Sequence, residues 1–380
     1  MYTLKNKKIA IVGGGPGGLT LARLLQMKGV EVKVYERDIN KYARMQGATL
    51  DLHEESGLAA LQEAGLMPAF KANYRPGAER LCIMDNHARV VFKEEPALEE
   101  DISRPEIDRG PLQRILLDSL EPDTVMRNSH FEALIPQGDS WKLTFKNGVA
   151  ALADIVIAAD GARSKVRPYI TPIKPFYTGM TALEGTVYHA ATASPGIHKL
   201  LDGGKIFAMD NERSLIVSSK GDGSLVFYTC CKTDESWNRG IGIDFSDKAQ
   251  VLDWFKAEFA GWDHLFQELL ENVTTPFVPR PLYCMPLDQT WQPLKNLTML
   301  GDAAHLMPPF AGEGVNMAML DALELSKCLT SEDYPGIQEA IAAYEASMRQ
   351  RAARAALESM ESMKALHAPG AIDFLLGVVS

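Results

Sequence analysis

Hydrophobic and polar positions alternate along the chain with two different periods. Residues 8–12 are an apolar run of strand length, residues 19–27 place Leu, Ala and Met at helical spacing, and residues 30–35 alternate valine with polar side chains. Gly29 stands where that helix should stop. The pattern predicts strand, helix and strand within the first 36 residues. A short amphipathic helix follows over 56–64, then a strand pair over 75–91 around Asp85-Asn86-His87, and an acidic connection over 93–101. A further helix is expected after Arg104-Pro105-Glu106-Ile107-Asp108, with Pro111 suited to its first turn and Leu112, Ile115, Leu116 and Leu120 on one face. Two strands are expected over 141–145 and 154–159.

From about 171 to 281 the period is that of strands. Runs at 181–189, 205–209, 214–219 and 224–231 are separated by Gly- and Asp-containing turns, which predicts a sheet of hairpins, interrupted by helices over 249–259 and 263–270. Strand-then-helix character returns at 297–302. Residues 337–367 are nearly unbroken helix former, with Ile337, Ile341, Tyr344 and Met348 on one stripe. Such a helix, roughly 45 Å long at the usual rise, reads as a brace across two domains.

The first turn carries chemistry. Residues 13–18 read G-x-G-x-x-G at Gly13, Gly15 and Gly18, straight after a strand and opening a helix, and the second strand ends at Glu36. Glycines suit a tight turn whose backbone must approach a pyrophosphate, the helix amino terminus favours that anion, and the terminal acid accepts bonds from ribose hydroxyls. The segment predicts a dinucleotide site. Two later stretches narrow it. Residues 154–167 form a buried-type strand ending in Asp160-Gly161, then a Ser-led helix start with basic residues. Residues 300–318 place Asp302 just past a strand, then Pro308 and Pro309 to stiffen a loop, then Gly312 and Gly314, which leave backbone amides open at a helix start. His305, at the start of that packed stretch, reads as structural rather than as a base.

Composition confines the rest. With 380 residues the chain exceeds one ordinary domain, and 46% hydrophobic with 23% charged residues is globular composition. A net charge of −10 with no basic stripe argues against nucleic acid or an anionic membrane as partner. No apolar run is long enough to span a bilayer and the first strand begins at once, so a cytoplasmic monomer is expected. Five cysteines without C-x-x-C spacing read as buried free thiols, and no metal-ligand pattern is present.

These motifs, in this order, resemble the single-component FAD-dependent aromatic hydroxylases of the para-hydroxybenzoate hydroxylase-like group, and within them the tetracycline-inactivating flavin monooxygenases associated with antibiotic resistance. The likeness also runs through Tyr35-Glu36-Arg37-Asp38, Gly47-x-Thr49-Leu50-Asp51-Leu52-His53, Pro105-Glu106-Ile107-Asp108-Arg109 and the run from Gly301 to Gly312. It implies an α/β fold: a Rossmann-like FAD-binding domain of the GR2 type, discontinuous in sequence, with an α+β substrate domain on an antiparallel sheet and a long C-terminal bridging helix. The expected segments are 1–74, 103–170 and 281–335 for FAD, 75–102 and 171–280 for substrate, and 336–380 for the helix. The resemblance further implies that FAD is held noncovalently by Gly13, Gly15, Gly18, Glu36, Arg37, Asp51, Arg109, Asp160, Gly161, Asp302, Pro309, Gly312, Gly314, Val315 and Asn316. Arg44 is implied in binding NADPH, and Asp160-Gly161 is associated with both nucleotides.

The implied activity is hydroxylation of an aromatic, enolic or polyketide-like small molecule with NADPH and O2, through a flavin hydroperoxide. Glu184, Lys205, Val226, Tyr228, Pro308, Phe310 and Gly312 are the expected substrate contacts. Where the resembling enzymes bind tetracycline with glutamine, arginine and histidine, this chain has Glu184, Lys205 and Val226, so its substrate preference is expected to diverge. A flavin reductase or dehydrogenase, or a ligand-sequestering flavoprotein, is the alternative. A halogenase is disfavoured, because no two tryptophans are two residues apart.

Overall fold

The computed structural model describes residue 4 and residues 6–40, 47–95, 104–210 and 212–379. Arg44 and most of the acidic connection lie outside the described residues.

The apolar run Ile9–Val12 is the middle of a five-stranded sheet in the order Leu297–Met299, Ile155–Ala158, Ile9–Val12, Val32–Tyr35, Val125–Met126, with every neighbouring pair parallel. Continuous apolar strands suit a sheet covered on both faces, and Ile9 to Val12 are all buried. The helix Pro16–Met27 packs against the helix Glu313–Thr330, and a Cβ on Gly17 would lie 2.7 Å from the carbonyl oxygen of Ala318. That glycine lets two helices from opposite ends of the chain approach closely.

The second sheet has seven strands in the order Val278–Cys284, Phe176–Val187, Leu225–Lys232, Arg213–Ser219, Lys205–Asp210, Leu81–Asp85, Val90–Lys93. One face packs Leu183, Leu215, Val217 and Phe227 against Phe255, Phe266 and Leu269 from the helices Lys248–Glu258 and His264–Glu271. The opposite face carries Met180, Ala182, Cys230 and Met209, packed with Phe310 and with Met363, Leu366 and Leu375 near the carboxyl end. A residue from the nucleotide-binding part of the chain therefore reaches the underside of the second sheet.

The long helix is Ile337–Leu366. It carries Glu345, fully buried, which accepts from Trp291 Nε1 at 2.8 Å and Thr298 Oγ1 at 2.7 Å. Tyr344 donates to the Met299 carbonyl at 3.1 Å, so the helix is bolted to the edge strand of the parallel sheet.

Several local expectations change. The seven-stranded sheet is not built of hairpins alone, because Lys205–Asp210 runs parallel to Leu81–Asp85, which arrives from an earlier part of the chain. The segment after Gly161 does not start a helix at Ser164; it turns and forms only the 3-10 turn Arg167–Tyr169, since Ser164 caps the Arg167 amide and Pro168 has no amide to continue the ladder. The strand Phe131–Gln137 and the strand Ala150–Ala153 flank Ser140–Phe145 in a three-stranded sheet, and the helices Ala190–Ala193, Pro195–Leu201 and Ala371–Val379 also add to the expected set. All five cysteines are free, four of them buried. No helix among the described residues is long and apolar enough to cross a membrane.

Candidate active site

The glycine turn is shaped by three different constraints. Gly13 has φ +112°, and a Cβ there would lie 2.2 Å from the Ala159 carbonyl oxygen, so only glycine fits. Gly18 is equally confined, its Cβ position lying 2.2 Å from the Gly13 carbonyl oxygen. Gly15 is different: its backbone is extended, and a Cβ would meet nothing within 4 Å. The protein itself does not demand glycine there; a bound group approaching the amino end of the helix would. Glu36 is buried and accepts from the Gly14 amide at 2.6 Å and the Asp38 amide at 2.8 Å, so the acid ending the second strand faces the turn. Arg37, beside it, is exposed.

Opposite lies the loop from Asp302 to Asn316. The Asp302 carboxylate makes no hydrogen bond to any described residue, and burial pushes its pKa up against the opposing charges of His305, Arg109 and Arg167. Its own carbonyl accepts from Arg167, which also donates to Ala303 O at 2.6 Å and Ala162 O at 3.3 Å, and so ties the Asp160-Gly161 turn to the Asp302 loop. Asp160 caps that turn through Lys165 and Val166 amides at 2.7 and 3.3 Å, while its second oxygen is buried without a partner among the described residues and burial raises its pKa. Gly161 has φ +80° with open space at its Cβ position.

Gly312 has φ +70°, and a Cβ would sit 2.6 Å from an Asp51 carboxylate oxygen. Gly314 opens onto empty space, with Val315 half-buried beside it. Asn316 is buried with its side chain fully engaged: its oxygen accepts from His53 N, Ser56 Oγ and Gly57 N, and its amide donates to the carbonyls of Asp51 and Gly312. It shapes the loop through its side chain. Pro308 is buried, its carbonyl taken by Ser359, whereas Pro309 is exposed. Arg109 is exposed and donates to Ala48 O at 3.1 Å.

His53 joins the two halves of this loop region. It is 3% exposed, with Nε2 3.1 Å from Asp51 Oδ2 and Nδ1 3.4 Å from Glu313 Oε1. Burial opposes its charge, but the two carboxylates outweigh it and hold the pKa at about 9. His305 is buried and engaged: its ring meets Asp321 at 2.5 Å, and Asp321 also holds Arg351 and the Gly301 amide.

Over this cradle stands the second sheet. Tyr228 accepts the Ala48 amide at 3.1 Å, and burial raises its pKa. Glu184 is buried and paired with Arg280; Lys205 is paired with buried Glu106. Val226 is only 1% exposed, so it offers little surface to a ligand. His53, Glu106, Arg167 and Arg280 carry no distinguishing signal of their own in the sequence; the first three lie inside the motifs quoted above, but nothing local distinguishes Arg280.

A glycine-lined turn with open Cβ positions at Gly15 and Gly314, an Asp302 carboxylate without a hydrogen-bond partner among the described residues and a second sheet packed against the loop suit a dinucleotide-binding α/β protein. The chain belongs to the FAD binding domain family, whose match covers residues 6–250 and 289–359. It is 26% identical to the monooxygenase penA of Penicillium thymicola over 92% of each protein, and 27% identical to an FAD-dependent urate hydroxylase of Mycolicibacterium vanbaalenii over 95% of this chain and 89% of that protein. A solved structure described as an FAD-containing monooxygenase from Photorhabdus luminescens superposes with a TM-score of 0.80 at 26% identity, covering 95% of this chain and 99% of that one. The tetracycline destructase Tet(55) superposes at 0.77 with 18% identity, covering 98% and 94%, a likeness of fold alone. As the resemblance implied, the protein is an FAD-dependent monooxygenase.

Proposed function

We propose that this enzyme uses NADPH and O2 to hydroxylate an aromatic or enolic small molecule. The observation that carries the reading is Phe310, two residues before Gly312, packing into the apolar clusters that contain Met209 and Cys230 on the underside of the second sheet. The loop expected at the flavin ring and the sheet expected at the substrate thus share one wall.

When bound, FAD supplies hydride acceptance and oxygen activation, chemistry no side chain here provides. The chain's part is to hold, orient and keep dry. Amides at Gly15 and the following helix turn would face the pyrophosphate, Glu36 and Asp302 would accept from the two sugar-alcohol portions, and Asp51 with the Gly312 and Gly314 amides would border the ring. Arg109 and Asp160-Gly161 would close the remaining sides, with Arg44 and the Asp160-Gly161 turn as the proposed contacts to NADPH. Tyr228, Phe310 and Pro308 would limit water at the reacting face. Tetracycline-type compounds are one substrate class to test; the relatives include an enzyme named for urate, another enolic ring.

The purified protein is expected to be yellow and to release FAD on acid or heat treatment. Candidate aromatic and enolic compounds should stimulate NADPH oxidation and yield a product heavier by one oxygen. Folded protein that takes up no FAD, or NADPH oxidation that never produces an oxygenated product with any compound, would overturn the reading; the latter outcome favours a reductase.

A further inference from the structure

The carboxyl end of the long helix is fastened to the Phe310 loop at two points. Ser359, Met363 and His367 lie four residues apart along the helix and its cap, so they share one stripe, and all three are buried. A serine inside a helix ordinarily bonds a carbonyl of its own preceding turn. Ser359 instead donates to the Pro308 carbonyl and accepts the Phe310 amide at 3.3 Å. Pro308 and Pro309 have no amide of their own, so one hydroxyl closes both ends of this proline turn.

His367 ends the helix, and its own amide turns to the Lys364 carbonyl. The Met363 carbonyl, left without that amide, lies 2.8 Å from the imidazole Nδ1. A carbonyl can only accept, so Nδ1 carries the proton and Nε2 is left to accept the Ser214 hydroxyl at 2.9 Å. Burial lowers the pKa of the ring, which favours the neutral form this pairing needs. Ser214 is in register with Met209 and Cys230, on the sheet face that packs with Phe310. The Phe310 ring meets the imidazole edge-on, with centroids 5.4 Å apart and planes at 81°. The backbone of the loop is thus tied to the helix, and its aromatic side chain to a ring that is itself tied to the second sheet.

We propose that Ser359 and His367 are positioning residues for the monooxygenation: Ser359 sets the backbone of the Phe310 loop and His367 sets its ring, so the loop holds one place between flavin and ligand. The proposal rests on the reading that this loop borders the flavin ring. Gly312 follows Phe310 by two residues and abuts Asp51, so slack at Phe310 moves the amides assigned to the ring. Misplacing reacting partners by about 1 Å can cost on the order of a hundredfold in rate. In a coupled turnover, O2, two electrons and two protons convert one C–H of the ligand to C–OH and release water. Uncoupled, the same O2, electrons and protons leave as H2O2, and a loosened loop favours that outcome.

The test uses the FAD-loaded enzyme and three variants: Ser359→Ala, His367→Phe, which keeps a ring without its hydrogen bonds, and His367→Gln, which keeps polar atoms without the ring. Hydrogen exchange of the segment 306–316 should be roughly tenfold faster in each than in wild type, with segments of the parallel sheet unchanged. The fluorescence of the bound flavin should change by about twofold or more. With a compound that wild type hydroxylates, the share of reducing equivalents recovered as H2O2 should at least double, while KM for that compound shifts by less than about twofold. A merely structural role would lower the thermal midpoint and leave flavin fluorescence and peroxide share at their wild-type values. That result, or loop exchange equal to wild type in every variant, overturns the proposal. Should Ser359→Ala fail to fold, the two His367 variants decide. If no compound is oxygenated, the hydroxylation reading fails, and loop exchange with flavin fluorescence still decides this proposal.

Discussion

Gly13 and Gly15 are two residues apart and are glycine for different reasons. Alanine at Gly13 would meet the Ala159 carbonyl and require a left-handed backbone, so Gly13→Ala is expected to destabilise the protein whether or not cofactor is present, by roughly 1 to 3 kcal/mol or more. Alanine at Gly15 meets only empty space. Gly15→Ala should therefore leave the thermal midpoint of FAD-free protein unchanged and weaken FAD binding. Comparing apo unfolding with FAD titration for both variants checks the contrast; an apo midpoint that falls equally in the two would remove the argument for a cofactor at Gly15. Asp302→Ala should likewise lower FAD retention while sparing the apo fold, since its carboxylate bonds to no described residue. His53 adds a pH dependence. Its folded pKa of about 9 exceeds its ordinary value near 6.5, so its contribution to stability is complete below about pH 6.5 and fades as pH rises through 9. Wild type should lose more thermal stability than His53→Gln between pH 7 and 9.5, by roughly 2 to 4 °C; parallel losses would show that the imidazolium contributes nothing.

Among elements, the long helix most plainly couples distant sequence. Glu345→Ala would leave the Trp291 indole N–H and the Thr298 hydroxyl without their buried acceptor, and would release Arg349, which pairs with Glu345 at 3.7 Å and lies 4.7 Å above the Trp291 ring. The expected loss is on the order of 2 to 3 kcal/mol in denaturant unfolding, with FAD affinity changed less than stability. The helix was legible in the sequence because its stripe repeats at short range; its anchor was not, since Glu345 resembles any other helical acid until Trp291 and Thr298 are brought to it. The same division holds at the site. Gly13 to Glu36 could be read in full because strand, turn, helix and terminal acid are consecutive. Lys205 and Glu184 were singled out through the resemblance, but their partners Glu106 and Arg280 lie about a hundred residues away, Arg280 on the neighbouring edge strand and Glu106 on a separate two-stranded sheet with Leu50–Asp51. The helix Ala371–Val379 escaped notice because it is short and apolar, and Lys205–Asp210 was assigned to hairpins because nothing in its own sequence announces a parallel partner at Leu81–Asp85.

At the scale of the whole molecule, the seven-stranded sheet is tied to the rest of the chain by apolar contacts with Phe310 and with residues near the carboxyl end, and by an ion pair between Lys205 and Glu106, which lies on the separate strand Glu106–Ile107. The two layers are expected to unfold together. Ligand that binds only the folded state at about a hundred times its dissociation constant adds roughly 2.7 kcal/mol, so removing FAD should lower a single thermal transition by several degrees. Two separate transitions, only one of them sensitive to FAD, would show that the layers are energetically independent. The parallel sheet has a further consequence for biosynthesis. Its central strand, Ile9–Val12, leaves the ribosome early, whereas its edge strand Leu297–Met299, Asp302 and Gly312 emerge only after the whole second sheet has been made. A nascent chain can thus form the glycine turn long before it can retain a flavin, and cofactor capture becomes a late event of maturation that waits for Asp302 and Gly312 to emerge. Cells short of riboflavin should accumulate this protein as folded but FAD-free chain, less stable than the loaded form by what binding contributes.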